Sequence, residues 1–180
     1  YQIGYGGWDL GETVFHDNTA INTEYGFNID SLVNNGVRIE NNKIIHPRKY
    51  GIVIGGEGTF ANFKFLNNTI QIDKSGVYGF IFQGNVTGAV IMGNKVLAEG
   101  PGARATAIRN YSAGRQAGAN RDNIYQSNQF AGGMAVAFEA PSQKSPNCFF
   151  DNRDERGNLR RDLPDNHNGQ CFTSGAQKTH

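Results

Sequence analysis

Val37-Arg38-Ile39-Glu40-Asn41-Asn42 and Phe63-Lys64-Phe65-Leu66-Asn67-Asn68 are one phrase written twice: an apolar residue, any residue, an apolar residue, two more, then Asn. The phrase also closes at Asn18, Asn94, Asn128 and Asn152, so that the six Asn stand 24, 26, 26, 34 and 24 residues apart. A second phrase, Tyr-Gly-apolar-x-apolar, begins between them at Tyr25, Tyr50 and Tyr78, with degenerate copies near Thr106 to Ile108 and Ala135 to Phe138. Both phrases alternate with period two and use β-branched and aromatic residues, and nothing between them carries a helical stripe. They read as short strands. A unit of about 25 residues with two or three such strands cannot bury its own apolar face, so successive units must stack as rungs of a solenoid.

The expected fold is therefore all-β, a single-stranded parallel β-helix of about six rungs. Three residues before each ladder Asn stand Phe15, Ile39, Phe65, Ile91, Tyr125 and Phe149, an inward apolar column. The Asn themselves form a second column, each amide able to bond the next at the spacing of about 4.8 Å between strands. Residues 1–12 are expected to cap the first rung, residues 13–152 to form the helix, and residues 153–180 to form a loop-rich cap or tail.

This pattern resembles right-handed parallel β-helix proteins of the pectate-lyase-like superfamily, in which an Asn ladder at one turn is common. The resemblance runs from Thr13 to about Asn152. It implies the fold firmly and the function loosely, since the superfamily includes lyases, hydrolases, epimerases, phage tailspikes and adhesins. Two signatures of its enzymes, an Asp-Pro-His-Glu epimerase motif and the Asp cluster of calcium-dependent pectate lyases, are missing from the chain.

Composition narrows the function classes. Charged residues make up 18% of the 180, the net charge is +1, and 24 Gly and 21 Asn together form a quarter of the chain. That balance leaves no broad basic surface for nucleic acid, and no apolar run approaches the roughly 18 residues of a membrane span. Neither a cofactor nor a metal is expected, because His167 and His180 lack ligand spacing and His46 and Gly55-Gly56-Glu57-Gly58 read as turns. Tyr1 opens the chain without Met, basic leader or apolar signal core, which reads as a mature product or a fragment. Cys148 and Cys171 are spaced to suit a disulfide closing a loop of about two dozen residues; the alternative is two free thiols. A disulfide implies an oxidising compartment, and the expected location is extracellular or secreted, on a virion or a cell surface.

On the strand before the Asn ladder, outward positions lie two and four residues before each Asn. They hold His16, Arg38, Glu40 and Lys64 on the early rungs and Val90, Met92 and Ile124 later. Arg38 or Lys64 can offset a uronate carboxylate while His16 or Lys64 acts as base in β-elimination or epimerisation, with Glu40 beside them; simple cross-rung salt bridging is the plainer reading of the same four residues. A glycosidase would instead need two carboxylates roughly 5 to 9.5 Å apart, for which only Asp17 and Glu40 are near. The longest inter-rung segment carries Arg104, Arg109, Tyr111 and Arg115 with no acid, a candidate site for an acidic polysaccharide. Finally, the outward positions of the Tyr-Gly strand, read as Asn28, Val53, Ile81, Ala107 and Ala137, are largely apolar. Such a strip suits a homo-oligomer, a trimer as in tailspikes, in which the chain is a structural fibre or adhesin module rather than an enzyme; coverage by the chain's own loops is the competing account.

Overall fold

The computed structural model describes residues 2–30, 33–56, 58–100, 105–110, 120–132, 136–139, 147–160 and 163. Among them there is no helix. The first coil holds β1 (Ile3–Trp8), β2 (Val14–His16) and β3 (Thr19–Ile21); the second holds β4 (Tyr25–Asp30), β5 (Val33–Asn35), β6 (Arg38–Glu40) and β7 (Lys43–Ile45). Next come β8 (Tyr50–Gly55), β9 (Thr59–Ala61), β10 (Lys64–Leu66) and β11 (Thr69–Ile72), then β12 (Tyr78–Phe82), β13 (Asn85–Thr87), β14 (Val90–Met92) and β15 (Lys95–Ala98). The stack ends with β16 (Thr106–Asn110), β17 (Ile124–Gln126) and β18 (Gln129–Gly132), followed by β19 (Val136–Glu139) and β20 (Cys148–Phe150).

These strands stack in parallel into four faces. Face A runs β1-β4-β8-β12-β16-β19, face B runs β5-β9-β13, face C runs β2-β6-β10-β14-β17-β20, and face D runs β3-β7-β11-β15-β18. The molecule is a parallel β-solenoid, as the repeat requires. Faces A and C are six strands tall, but face B has only three, with single bridges Gly11 to Asn35 and Thr87 to Arg121 extending it. The coil closed on every side thus measures about four turns rather than six. Residues 1–12, expected as a cap, contribute β1, which pairs with β4 from Ile3↔Tyr25 to Trp8↔Asp30.

The Asn ladder explains the first phrase. Asn42, Asn68, Asn94, Asn128 and Asn152 are all buried. The backbone N–H and Nδ2 of Asn42 both donate to Oδ1 of Asn68 at 3.0 Å, and the same pair of bonds links Asn18 to Asn42, Asn68 to Asn94, Asn94 to Asn128 and Asn128 to Asn152. Each buried Nδ2 also reaches back to the column carbonyl of the previous coil: Asn68 to Ile39 at 2.7 Å, Asn128 to Ile91 at 2.8 Å. The residue before each ladder Asn has positive φ (Asp17, Asn41, Asn67, Gly93, Ser127, Asp151), which is why short polar residues or Gly stand there. At Gly93 even a Cβ would lie 2.3 Å from Oδ1 of Asn67.

Inside, Ile39, Phe65, Ile91 and Tyr125 stack on face C, Ile44, Ile70 and Val96 on face D, and Phe27, Ile52, Phe80 and Ile108 on face A, in one continuous core. The Tyr-Gly phrase marks the bend from D into A. A Cβ on Gly51 would sit 2.6 Å from the Gly79 carbonyl and 2.8 Å from Ile70, so only the smallest residues fit there. This corrects the phase of the fourth copy. Thr106 pairs with Tyr78 and Ile108 with Phe80, so Ala107 takes the Gly position and is fully buried, and Arg109 is the outward partner of Ile81. The side chain of Ala137 lies outside the described residues.

The apolar strip on face A is also corrected. Val53 and Ile81 are each 3% exposed in the single chain, clustered with Tyr25, Tyr50 and Tyr78. The tyrosine rings stack coil on coil, 5.4 and 5.8 Å between centroids. The chain itself covers this strip, so the physical argument for a trimer built on it falls away.

Candidate functional site

Face C brings the four expected side chains together. β2 and β6 pair as Val14↔Arg38 and His16↔Glu40, and β6 pairs with β10 as Lys64↔Arg38. Arg38 and Lys64 therefore stand one above the other in one outward column, and His16 and Glu40 in the next column along. Residues two apart on a strand share a face, so Arg38 also reaches Glu40: its Nη2 donates to both carboxylate oxygens at 3.0 and 2.8 Å. His16 bonds its own neighbour, Nδ1 to Asp17 Oδ2 at 2.9 Å, with both side chains well exposed. Lys64 has no ion-pair partner among the described residues.

Beside the Arg38–Lys64 column, at the corner between faces B and C, lies a groove of about 380 Å³. Its walls include Glu12, Val14, Asn35 and Asn62, and Nδ2 of Asn62 donates to Oδ1 of Asn35 at 3.0 Å. Asn35 and Asn62 were missed by the sequence reading. Their signal was a third repeated phrase, Val33 to Val37, Thr59 to Phe63 and Asn85 to Ala89, each with a positive-φ Gly or Asn (Gly36, Asn62, Gly88) before an inward apolar residue.

Of the second candidate cluster only Arg109 lies among the described residues. Arg109 lies over the Tyr78 ring, 5.1 Å from its centroid, and its Nη1 donates to the Tyr78 hydroxyl at 2.5 Å. Arg104, Tyr111 and Arg115 lie outside the described residues, as does Cys171; Cys148, its expected partner, is buried on β20.

His46, read from sequence as a turn residue, has φ of 52° as such a turn requires, yet it also faces two carboxylates. Its Nδ1 lies 3.8 Å from Asp73 and its Nε2 3.5 Å from Glu99, while Gln71 Nε2 donates to Glu99 at 2.8 Å. The two ring nitrogens point to different carboxylates, so the three groups do not converge on one point where a metal would sit; among the described residues no group of three His, Cys, Asp or Glu is arranged to hold one. Neighbouring coils contribute one residue each, and at 37 to 46% exposure the contacts are weak surface pairs.

No protein-family model, curated protein or solved structure matches this chain. The likeness to the pectate-lyase-like superfamily rests on the repeat phrases alone, and the β-solenoid itself on the structure.

Proposed function

We propose that the chain is an extracellular β-solenoid module that binds an acidic polysaccharide in the groove between faces B and C. One observation carries the reading: Arg38 and Lys64 are stacked in a single column beside a groove bordered by the Asn35 and Asn62 amides. A free ammonium beside the Arg38 guanidinium suits a carboxylate of a uronate polymer, and the amides suit its hydroxyls. Lys64 supplies the free charge, since Glu40 already occupies the Arg38 guanidinium.

Binding is favoured over cleavage. A lyase or epimerase needs a base beside the cation that holds the carboxylate. His16, whose Nδ1 bonds Asp17, sits in the column neighbouring that of Lys64 and two coils away from it, one coil beyond Arg38. No second cation stands free to hold the carboxylate while Lys64 acts as base, so uronate lyase or epimerase chemistry, with His16 or Lys64 as base, is the narrower form of the same proposal.

The test is calorimetric titration with polygalacturonate and with an uncharged glucan. Saturable binding of the uronate polymer alone is expected, weakened about tenfold or more in Lys64→Ala and largely retained in Lys64→Arg. Equal binding of both polymers, or none of the uronate, overturns the proposal. The same mixtures watched for the absorbance of an unsaturated product decide whether cleavage follows.

A further inference from the structure

Resting on the reading of the groove between faces B and C as a polysaccharide site, we propose that it selects a polymer in which uronate alternates with an N-acylated amino sugar. Glu12 is the residue that turns away a polymer with a carboxylate on every sugar. The corner where face B bends into face C repeats one position in each coil: Glu12, Gly36, Asn62, Gly88 and Asp122 all have positive φ, from 28 to 76°. The backbone N–H of each of the first four donates to the carbonyl just before the next member of the series. A side chain therefore alternates with none along this column. The neighbour uses the vacant place: a Cβ on Gly36 would lie 3.3 Å from Cγ of Glu12, and one on Gly88 would lie 3.0 Å from Oδ1 of Asn62. Glu12 thus leans across Gly36 into the groove, whose wall it shares with Asn35, Asn62 and Lys64.

The groups left over in the groove define the occupant. Glu12, like Lys64, has no ion-pair partner among the described residues, and two coils, roughly 10 Å of stack, separate them. One groove thus offers a free ammonium and, two coils along, a free carboxylate. A polysaccharide lying along the stack with a carboxylate on each sugar, once it sets one on Lys64, brings another towards Glu12, and like charges brought together in a site cost binding. A neutral sugar at that place instead donates hydroxyl or N–H groups to Glu12, which accepts. Between the two charges lies the amide pair. Asn62 Nδ2 donates to Asn35 Oδ1, which leaves Nδ2 of Asn35 as donor and Oδ1 of Asn62 as acceptor without partners among the described residues. An N-acyl group, with one C=O and one N–H, accepts from the first or donates to the second; a uronate carboxylate only accepts.

The test is calorimetry with octasaccharides of hyaluronan, in which glucuronate alternates with N-acetylglucosamine, and of β-linked glucuronate alone. The homopolymer carries twice the carboxylates, so charge count by itself favours it. Expected instead is tighter binding of hyaluronan, by about fivefold or more. Glu12→Gln, which keeps the size of the side chain, is expected to strengthen homopolymer binding about fivefold and to leave hyaluronan within about twofold. Asn62→Gly, using the residue that already stands at Gly36 and Gly88, is expected to weaken hyaluronan about threefold or more and to leave the homopolymer unchanged. Equal or preferential binding of the homopolymer by the unmodified chain, or a ratio that Glu12→Gln does not move, overturns the inference; where Lys64→Ala still weakens that binding, the broader reading of an acidic polysaccharide site stands. A hyaluronan preference untouched by Asn62→Gly overturns the amino-sugar assignment. Binding of neither octasaccharide overturns both readings.

Discussion

The two ends of the solenoid meet the same problem in opposite ways. At the C-terminal end Phe149, last in the face C column, is 5% exposed, stacked on Tyr125 at 4.9 Å, and Leu163 folds into the core cluster. The chain after β20 makes this closure with its own backbone. Arg153 pairs antiparallel with Leu159, the Arg160 N–H donates to the Asn152 carbonyl at 2.9 Å, and Asp154 accepts from the N–H of Arg156 and Asn158 at 2.9 Å each. At the N-terminal end Phe15, first in the same column, is only partly buried and its strand edge is bare among the described residues. A repeat stack thus separates two tasks that a closed globule combines: each coil supplies lateral bonds to its neighbours, while end coverage must be encoded separately.

If the ladder is what transmits order from the closed end to the open one, cutting it in the middle should do the most damage. Asn68→Ala removes the acceptor for two donors of Asn42 and the donor to the Ile39 carbonyl, all buried. The expected loss is about 3 to 4 kcal/mol, read from urea unfolding. Asn18→Ala, in the first coil, should cost under about 1 kcal/mol, because Asn42 Oδ1 keeps the Asn18 backbone N–H when it loses the Asn18 amide. Equal losses at the two positions would break the comparison.

Next in size is the closed end itself. Leu163→Ala should cost about 2 to 3 kcal/mol, in the usual range for a buried Leu, and should raise amide exchange on β17 and β20 before it affects β2 and β6. Uniform exchange along face C would show that the cap stabilises the whole stack rather than its own end.

The stack was legible because it repeats identities at fixed phase. Phe65 and Asn68 could be placed from the sequence, each having a counterpart about one coil away in both directions. Ala107 was misplaced because the glycine that marks the bend had been replaced, leaving alternation with no anchor. Burial of Val53 and Ile81 was illegible for another reason: rings from three coils combine to cover them, and no local pattern records that. In the candidate site, the shared face of Arg38, Glu40 and Lys64 followed from period two. The same period already implied the Arg38–Glu40 pair, two residues apart on one strand, which leaves Lys64 as the free cation. Asn35 and Asn62 escaped because face B repeats a conformation, positive φ before an inward residue, using Gly or Asn interchangeably.

A smaller effect distinguishes the ends by acid. Burial tends to raise the Asp154 carboxyl, but hydrogen bonds from the Asn158 and Arg156 backbone N–H groups outweigh it and hold the group below its ordinary value. A carboxyl with a depressed folded pKa contributes stability that is fully present above its unfolded value, about 3.9, and is lost as pH falls through the folded value. At the other end the hydrogen bond from Lys49 lowers Glu24 in the same sense, against a smaller opposing effect of burial. Both groups are solvent-screened, so each should act locally. As pH falls below the ordinary carboxyl range the amides of Arg156 and Asn158 should lose exchange protection while those of the ladder Asn keep theirs. Simultaneous loss would mean that the cap turn and the ladder open as one unit.

The smallest expected effect is the sharpest test of the open end. Trp8→Ser and Ile21→Thr replace large apolar side chains that folding leaves largely in water, at 72% and 55% exposure. Little apolar area is removed from water at these positions when the chain folds, so each change should alter unfolding free energy by no more than about 0.5 kcal/mol. A destabilisation of about 2 kcal/mol in either variant would show that these side chains already have a partner within the chain. Stability unmoved in both variants is what two side chains left in water by the fold must produce.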